Sequence, residues 1–309
     1  MPYSARLKTA IASFILAACA HHPDVAPPPD NSPPNTDIYI ADLSLASRMA
    51  SVTGLKPLIA SEGYDNQPAF LPGEDALLYT SAGRSGKTDL WRIDLASGKS
   101  TQITDTPDRS EYSPRLTPDS KAISFIQEPP AGDVTELYTR AIDNSTEGPF
   151  IALKPLGYYA ILDKGQTVLT FLRDDPPTLQ RVDRTTGAVT QIVSNIGRAL
   201  YTGPDDQSAF FTAAREDGTY QLHRYDNAAG KTTPLFALKG TAQDYVVFKI
   251  PGDQALGFIC AAGSALFFRT DSPRDTWQQM ADLSASGVKE ITRLSVNESA
   301  TRLALVTGS

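Results

Sequence analysis

Short apolar stretches alternate with turn residues along most of the chain, in the pattern of consecutive β-hairpins. In the clearest copy, Phe70 and Leu71 end one predicted strand, Pro72 and Gly73 form a turn, and residues 76–81 form the next strand. Proline fixes φ and glycine permits positive φ, so this pair between two apolar runs predicts a tight turn. The two-residue alternation and the β-branched and aromatic content favour strands over helices.

Weaker copies of this hairpin recur to the C-terminus. Each can be anchored on one turn residue, and the anchors are Pro72, Pro118, Lys164, Pro204, Pro251 and Asn297. They are separated by 46, 46, 40, 47 and 46 residues. One four-stranded propeller blade needs roughly 40–45 residues. The spacing therefore predicts an all-β fold, a six-bladed β-propeller of four-stranded blades.

A second hairpin follows each of the first five copies, most clearly over residues 88–104. The sixth copy reaches Ser309 after its first hairpin, and its outer strands are missing there. Residues 37–39 (Asp-Ile-Tyr) match residues 89–91 (Asp-Leu-Trp) of a third strand. We therefore expect strands near 36–43 to complete the last blade, which closes the ring and removes an exposed sheet edge. The predicted propeller occupies residues 36–309.

The N-terminal segment has the order of features typical of an export signal. Arg6 and Lys8 precede an apolar run over residues 10–18, which is too short to span a bilayer. Residues 16–19 (Leu-Ala-Ala-Cys) resemble the lipobox of bacterial lipoproteins, which implies a signal peptide over 1–18 and lipidation of Cys19. An ordinary secretory signal with a chance cysteine is the alternative. The Pro-rich segment 19–35 is predicted to be an extended tether.

Charge and cysteine content narrow the possible partners. The net charge is −7, and loss of Arg6 and Lys8 with the signal makes it −9, counting side chains only. An acidic surface disfavours nucleic acid, and it disfavours membrane binding other than through a lipid anchor. If Cys19 is lipidated, Cys260 remains without an intrachain disulfide partner. We expect a monomer in the cell envelope.

The turn motifs resemble those of the TolB-type family of six-bladed propellers. The resemblance is carried by residues 65–73 (Asp-Asn-Gln-Pro-Ala-Phe-Leu-Pro-Gly) and more weakly by 116–119, 203–205 and 250–253. The same repeats occur in the propeller domains of the dipeptidyl peptidase IV class. Ala20 follows Cys19, and the resemblance to enterobacterial lipoproteins implies an outer-membrane anchor facing the periplasm.

The best ligand candidates precede the innermost strand of each blade, where equivalent residues would converge on one mouth of the central channel. This predicted rim consists of Asp65, Asn66, Glu111, Tyr112, Tyr158, Arg198, Asp244, Tyr245 and Glu290. Four acids and three tyrosines there would suit a cation or a basic peptide. Alternatively, each acid accepts hydrogen bonds from backbone N–H groups of its own turn.

Signals for catalysis are few. Residues 81–88 are similar to a phosphate-binding loop, but position 81 is Ser and no helix follows. His223 lies in an alternating strand without a nucleophile motif. Spaced Cys and His ligands for zinc and an EF-type calcium loop are both lacking. We therefore assign no catalytic residue, no metal ligand and no cofactor from the sequence.

Two function classes remain. The favoured one is a lipid-anchored envelope propeller that acts as a platform for a protein, peptide or glycan. The alternative is a calcium-dependent, lactonase-like hydrolase, in which Glu62, Asp65, Asn66 and Asp244 would provide oxygen ligands in the channel. Because propellers host many activities, the choice depends on the geometry of the channel.

Overall fold

The computed structural model of the protein describes residues 34–46, 48–82, 86–130, 134–240 and 242–308. The predicted signal peptide, Cys19 and most of the predicted tether lie outside these ranges. The first two strands are β1 (Thr36–Ala46) and β2 (Met49–Ile59). No helix in the described ranges has the length and apolar character needed to cross a membrane.

Five four-stranded antiparallel sheets follow in chain order, and each begins with its innermost strand. Blade 1 contains β3 (Asp65–Phe70), β4 (Ala76–Ala82), β5 (Thr88–Asp94) and β6 (Ser100–Gln102). Blade 2 contains β7 (Ser110–Leu116), β8 (Ala122–Glu128), β9 (Glu136–Ala141) and β10 (Glu147–Pro149). Blade 3 contains β11 (Leu156–Leu162), β12 (Thr167–Leu172), β13 (Thr178–Asp183) and β14 (Val189–Ser194).

The remaining blades repeat the arrangement. Blade 4 contains β15 (Ile196–Thr202), β16 (Ser208–Ala214), β17 (Tyr220–Asp226) and β18 (Lys231–Ala237). Blade 5 contains β19 (Tyr245–Lys249), β20 (Leu256–Ala262), β21 (Ala265–Thr270) and β22 (Gln278–Asp282). Blade 6 combines β23 (Ile291–Val296) and β24 (Arg302–Gly308) with β1 and β2. Short 3₁₀ turns span Asp163–Gly165 and Ser284–Ser286. The predicted six-bladed propeller is therefore confirmed.

The two ends of the propeller meet in blade 6. Strand β1 pairs antiparallel with β24, with Asp37 opposite Thr307 and Tyr39 opposite Leu305. It occupies the third position of the blade, which is the position that β5 holds in blade 1. The Thr36 hydroxyl also donates a hydrogen bond of 3.0 Å to the backbone oxygen of Asp65 in blade 1. The predicted closure of the ring by N-terminal strands is confirmed.

The hydrophobic core is distributed between neighbouring blades. Between blades 6 and 1, Ile38 and Val306 pack against Leu77 and Tyr79. Comparable clusters lie at the other blade interfaces, because each sheet is apolar on both faces and the next blade covers each face. Burial of these faces fixes the positions of the innermost strands, which surround the central channel.

Irregular pairing marks the innermost strands. Register shifts occur in β3, β7, β11, β15 and β23. In β3 and β7 the shift coincides with Gln67 and Ser113, which both have φ of 56°. A bulge of this kind adds an unpaired residue and re-aims the side chains that follow it. The bulges therefore decide which side chains point into the channel.

Candidate functional site in the central channel

The channel is a cavity of about 510 Å³ lined by the innermost strands of all six blades. Its wall extends to the turns that follow these strands, where Pro72, Pro118 and Pro204 are exposed. We call this side of the propeller the turn end. A volume of this size lies within the range of roughly 300–1,000 Å³ that is usual for ligand pockets. The channel is therefore open to solvent at the turn end and large enough for a ligand.

Three arginines, one from each alternate blade, reach into the channel. Arg115 comes from β7, Arg198 from β15 and Arg293 from β23, and all three side chains are partly buried. We call this set the arginine floor. Its members bond to strands of other blades, so they bridge the channel as well as lining it.

Arg115 connects three blades. Its Nη1 donates to the backbone oxygens of Tyr159 (3.0 Å) and Leu200 (3.1 Å), and its Nη2 also donates to Leu200 (3.1 Å). The guanidinium carbon lies 5.4 Å from the ring centre of Tyr159 and 5.1 Å from that of Tyr201. Two backbone oxygens and two aromatic rings therefore interact with most of the Arg115 guanidinium group.

Arg198 and Arg293 converge on one backbone oxygen. Arg198 Nη2 donates to the Thr292 oxygen at 3.1 Å, and Arg293 Nη1 donates to it at 2.7 Å. Arg293 Nη2 also donates to the Tyr158 hydroxyl at 3.0 Å. Arg198 Nε is buried and has no hydrogen-bond partner among the described residues. The two guanidinium groups therefore lie close together, and Arg198 retains donor capacity.

Asp244 is the carboxylate of the channel floor. It is buried, with Oδ2 3.5 Å from Arg293 Nη1, and its Oδ1 accepts a hydrogen bond of 3.2 Å from the Tyr201 hydroxyl. Burial raises the pKa of Asp244, whereas the charges of Arg293 and Arg198 oppose that rise. Arg293 and Tyr201 hold this carboxylate in place, so both of its oxygens already have partners in the channel.

The charges at the floor do not cancel. Three guanidinium groups face one carboxylate, which leaves two positive charges in a protein whose net charge is −7. A second carboxylate, Asp206, lines the channel in the turn after β15, where it accepts a hydrogen bond of 2.8 Å from the Lys164 backbone N–H. With Asp206 counted, the described channel lining still carries one net positive charge, which is opposite to the predicted acidic rim.

Only part of the predicted rim lines the channel in the described structure. Tyr158, Arg198 and Asp244 do so. Asp65 is fully buried and accepts hydrogen bonds from the Ser61 backbone N–H (2.7 Å), the Ser61 hydroxyl (2.5 Å) and the Ser81 hydroxyl (2.6 Å). The turn-capping interpretation therefore describes Asp65 better than a ligand role.

Asn66, Tyr112 and Tyr245 make contacts within and between blades. Asn66 Nδ2 lies 3.2 Å from the Thr36 hydroxyl oxygen, which accepts its hydrogen bond. Tyr112 packs edge-on against Tyr64 at a centroid distance of 6.2 Å. Tyr245 is fully buried and packs edge-on against Tyr201 at 5.2 Å. These three residues support the inner strands from outside the channel wall.

The other two acids of the predicted rim also lie outside the channel lining. Glu111 is fully buried, and its Oε1 accepts a hydrogen bond of 3.1 Å from the Thr106 hydroxyl. Burial raises the pKa of Glu111 to about 6, from an ordinary value of 4.5. Glu290 is exposed just before β23. The structure therefore does not bring the four acids to one mouth.

The residues considered for a calcium site do not converge either. Glu62 is exposed, Asp65 is bonded to Ser61 and Ser81, and Asp244 is bound to the arginine floor. Across the ranges that the structure describes, no three His, Cys, Asp or Glu side chains form a group suited to a metal ion. A calcium ion would need several oxygen ligands at about 2.3–2.6 Å from one point. These four residues do not fit that requirement.

Sequence reasoning identified Arg198 but missed Arg115 and Arg293. Both follow a register shift in their strand, so counting every second residue from the strand start does not predict their direction. A signal was present in blades 1 and 2, where Pro68 and Pro114 lie inside innermost strands. Proline within a strand is typical of an edge or a bulge.

Comparison with known proteins supports the fold. No protein-family model matches the chain. A curated relative, dipeptidyl-peptidase 5 of Porphyromonas gingivalis, is 34% identical over 96 residues, which are 30% of this chain and 13% of that protein. The chain therefore matches only a small part of this relative's length.

Two solved structures superpose on most of the chain. One is a protein proposed to be TolB from Agrobacterium tumefaciens, with a TM-score of 0.66 and 13% identity, covering 88% of this chain and 98% of the other. The second is TolB from Acinetobacter baumannii, with a TM-score of 0.55 and 15% identity, covering 88% of this chain and 65% of the other. This chain thus spans slightly less than two thirds of the second protein. At such identities the likeness is one of fold.

Six four-stranded blades around a channel, closed by strands from both ends of the propeller, make this protein a six-bladed β-propeller. Within that class its fold is TolB-like, as the turn motifs implied.

Proposed function

We propose that this protein is a binding platform of the bacterial cell envelope, whose protein, peptide or glycan partner docks at the turn end of the channel. The observation that carries the proposal is the shape of the channel. It is open where Pro72, Pro118 and Pro204 are exposed, and side chains of the arginine floor bridge it between blades. A cavity open at one end suits the capture of a protruding segment of a partner.

The bonding of the channel carboxylate favours binding over hydrolysis. A general base must be available to a substrate proton. Asp244 is instead held by Arg293 and Tyr201, and a hydrolytic role for it would require both contacts to be released. His223 stacks on Phe211 at a centroid distance of 5.2 Å and does not line the channel. The lactonase-like alternative therefore has less support than the platform.

The cellular location is part of the proposal. The signal-like residues 1–18, the candidate lipidation site Cys19 and the Pro-rich segment 19–35 support a lipid anchor, with the propeller facing the periplasm from the outer membrane. The TolB-like fold is consistent with an envelope protein. In this arrangement a monomer on a Pro-rich tether presents its channel to a partner in the envelope.

Affinity capture from the native envelope tests the platform. The protein would be used in three forms: wild type, Ala69→Trp, which places an indole in the channel wall, and Ala228→Trp, which is exposed in the turn between β17 and β18. Circular dichroism would establish that all three are folded.

We expect a partner that is retained by the wild type and by Ala228→Trp but lost with Ala69→Trp. Retention of the same proteins or glycans by all three forms would refute docking in the channel, as would the absence of any specific partner.

A further inference from the structure

We infer that the arginine floor binds the C-terminal carboxylate of an extended peptide segment that enters the channel from the turn end. This inference rests on the proposed function and specifies the chemistry of the partner. It starts from the net positive charge of the channel lining, where three guanidinium groups face the carboxylates of Asp244 and Asp206, in an otherwise acidic protein. Charges that are partly removed from water are destabilising unless they are paired, so such an excess points to an anionic ligand.

Arg198 is the floor residue with the most free donors. Its Nη2 donates to the Thr292 oxygen, whereas its Nη1 makes no hydrogen bond among the described residues; its Nε also has no partner there but is buried. A guanidinium group binds a carboxylate most strongly through two parallel N–H···O bonds, which are short and directional. Arg115, by contrast, already donates to two backbone oxygens. The free donor capacity of the floor is therefore centred on Arg198.

A second guanidinium reinforces this position. Arg293 donates to the same Thr292 oxygen as Arg198, so both side chains reach one point on β23. Arg293 is paired with Asp244 at 3.5 Å, so the guanidinium groups of Arg198 and Arg293 together carry one positive charge more than the carboxylate beside them offsets. A carboxylate next to Arg198 would balance this remaining charge in a site of reduced water content.

The wall between the floor and the turn end favours a peptide over an acidic glycan. The channel lining contains the partly exposed apolar side chains Phe70, Leu116 and Val296 beside polar ones such as Gln67 and Thr202. Such a mixed lining suits the apolar side chains and the backbone amides of a peptide that precede a charged terminus. The inner strands also have an unpaired edge on the channel, which an extended peptide backbone can use for hydrogen bonds. A sugar acid would leave its hydroxyl groups against these apolar residues.

The inference is tested with two synthetic hexapeptide mixtures that are randomised among Ala, Val, Leu and Phe at the last three positions. One mixture ends in a free carboxylate and the other in a carboxamide, and trigalacturonate serves as a sugar-acid probe. Bound probes would be quantified by mass spectrometry after equilibrium dialysis against four proteins: wild type, Arg198→Gln, Arg198→Lys and Arg92→Gln. Arg92 pairs with Glu74 on the exposed surface and provides the matched control.

We expect the wild type to bind free-acid peptides at least about tenfold more tightly than the amides. Arg198→Gln should lose about tenfold or more of this binding, Arg198→Lys should retain part of it because it keeps the charge, and Arg92→Gln should not change it. Equal binding of acids and amides, absence of free-acid binding, or preference for trigalacturonate would overturn the inference. Wild-type binding of free-acid peptides by a folded Arg198→Gln protein would also overturn it.

The capture experiment separates this inference from the platform itself. A native partner lost with Ala69→Trp but fully retained by Arg198→Gln would leave the platform standing and refute carboxylate recognition. A partner retained by both variants would refute both proposals.

Discussion

Arg293 Nη2 donates a hydrogen bond of 3.0 Å to the hydroxyl oxygen of Tyr158, a residue 135 positions earlier in the chain. The two residues lie on the innermost strands of blades 6 and 3, which face each other across a ring of six. Arg293 therefore links opposite blades through the channel, in addition to its contact with buried Asp244.

Replacing Arg293 should destabilise the propeller strongly. Arg293→Met leaves the Asp244 carboxylate buried without its partner cation, and loss of one member of a buried pair typically costs about 3–5 kcal/mol. Adding Asp244→Asn should restore part of the lost stability, because the unpaired charge is then removed. The exposed pair of Arg92 and Glu74 is the control, and Arg92→Met should cost less than about 1 kcal/mol.

Urea unfolding of the four proteins measures these differences. Equal losses for Arg293→Met and Arg92→Met would contradict the assignment of Arg293 as a buried link across the channel.

The buried carboxyl of Glu111 should make stability depend on pH. Its native pKa is about 6, above its ordinary value of 4.5, so between these pH values the native state holds a proton that the unfolded chain has lost. The free energy of unfolding should therefore fall as the pH rises from about 4.5 to about 6, and the loss persists above that. The glutamine of Glu111→Gln is neutral at every pH, so this variant should not show the fall in the free energy of unfolding.

At pH 8 we expect Glu111→Gln to be roughly 1–2 kcal/mol more stable than the wild type, with the difference disappearing near pH 4. Chemical unfolding at several pH values checks this. Glu290→Gln, which alters an exposed acid, should follow the wild type at each pH. A pH-independent gain from Glu111→Gln would mean that the gain does not come from the proton.

Closure of the ring should be a major source of stability. Deletion of residues 36–43 removes most of β1, so β24 keeps β23 but loses its other partner strand, and the Ile38 side chain is lost from the interface with blade 1. An unpaired strand edge also favours pairing between molecules. The truncated protein should melt well below a version that begins at Asn35, and it should self-associate.

Calorimetry measures the melting temperature, and light scattering measures the oligomeric state. Similar melting temperatures together with a monomeric truncated protein would be incompatible with closure through β1.

The sequence was sufficient to predict the blades because their signals are local. The turn at Pro72 and Gly73 and the apolar strands beside it recur in each copy, and the similarity of residues 37–39 to 89–91 predicted the pairing of β1 with β24. These features depend on backbone preferences and on burial between blades, which a single chain records directly.

The channel lining was harder to predict because bulges interrupt the alternation of side chains. The shared position of Asp65 and Glu111 before the innermost strands predicted that both acids face the channel, but they are buried and bond to Ser81 and Thr106. The shifts near Gln67 and Ser113 follow the acids and re-aim the later residues, so Arg115 reaches the channel. The position of a bulge depends on tertiary packing, and the sequence signal for it was limited to Pro68 and Pro114.

Lipid anchoring remains a prediction, since Cys19 lies outside the described residues. Cys19→Ser removes the thiol that would be acylated, so the protein should move from the membrane fraction to the soluble periplasmic or extracellular fraction while its propeller stays folded. Cell fractionation with immunoblotting measures the shift, and Cys260→Ser provides a control at a buried thiol. Unchanged membrane retention of Cys19→Ser would rule out this anchor.

Photo-crosslinking in living cells tests docking in the channel most directly. A photoreactive phenylalanine analogue would replace Pro118, which is exposed at the turn end, or Ala228, which is exposed in the turn between β17 and β18. Docking in the channel predicts a discrete covalent adduct from position 118 that disappears when Ala69→Trp blocks the channel, and no such adduct from position 228. An adduct of equal yield from position 228, or none from position 118, would contradict it.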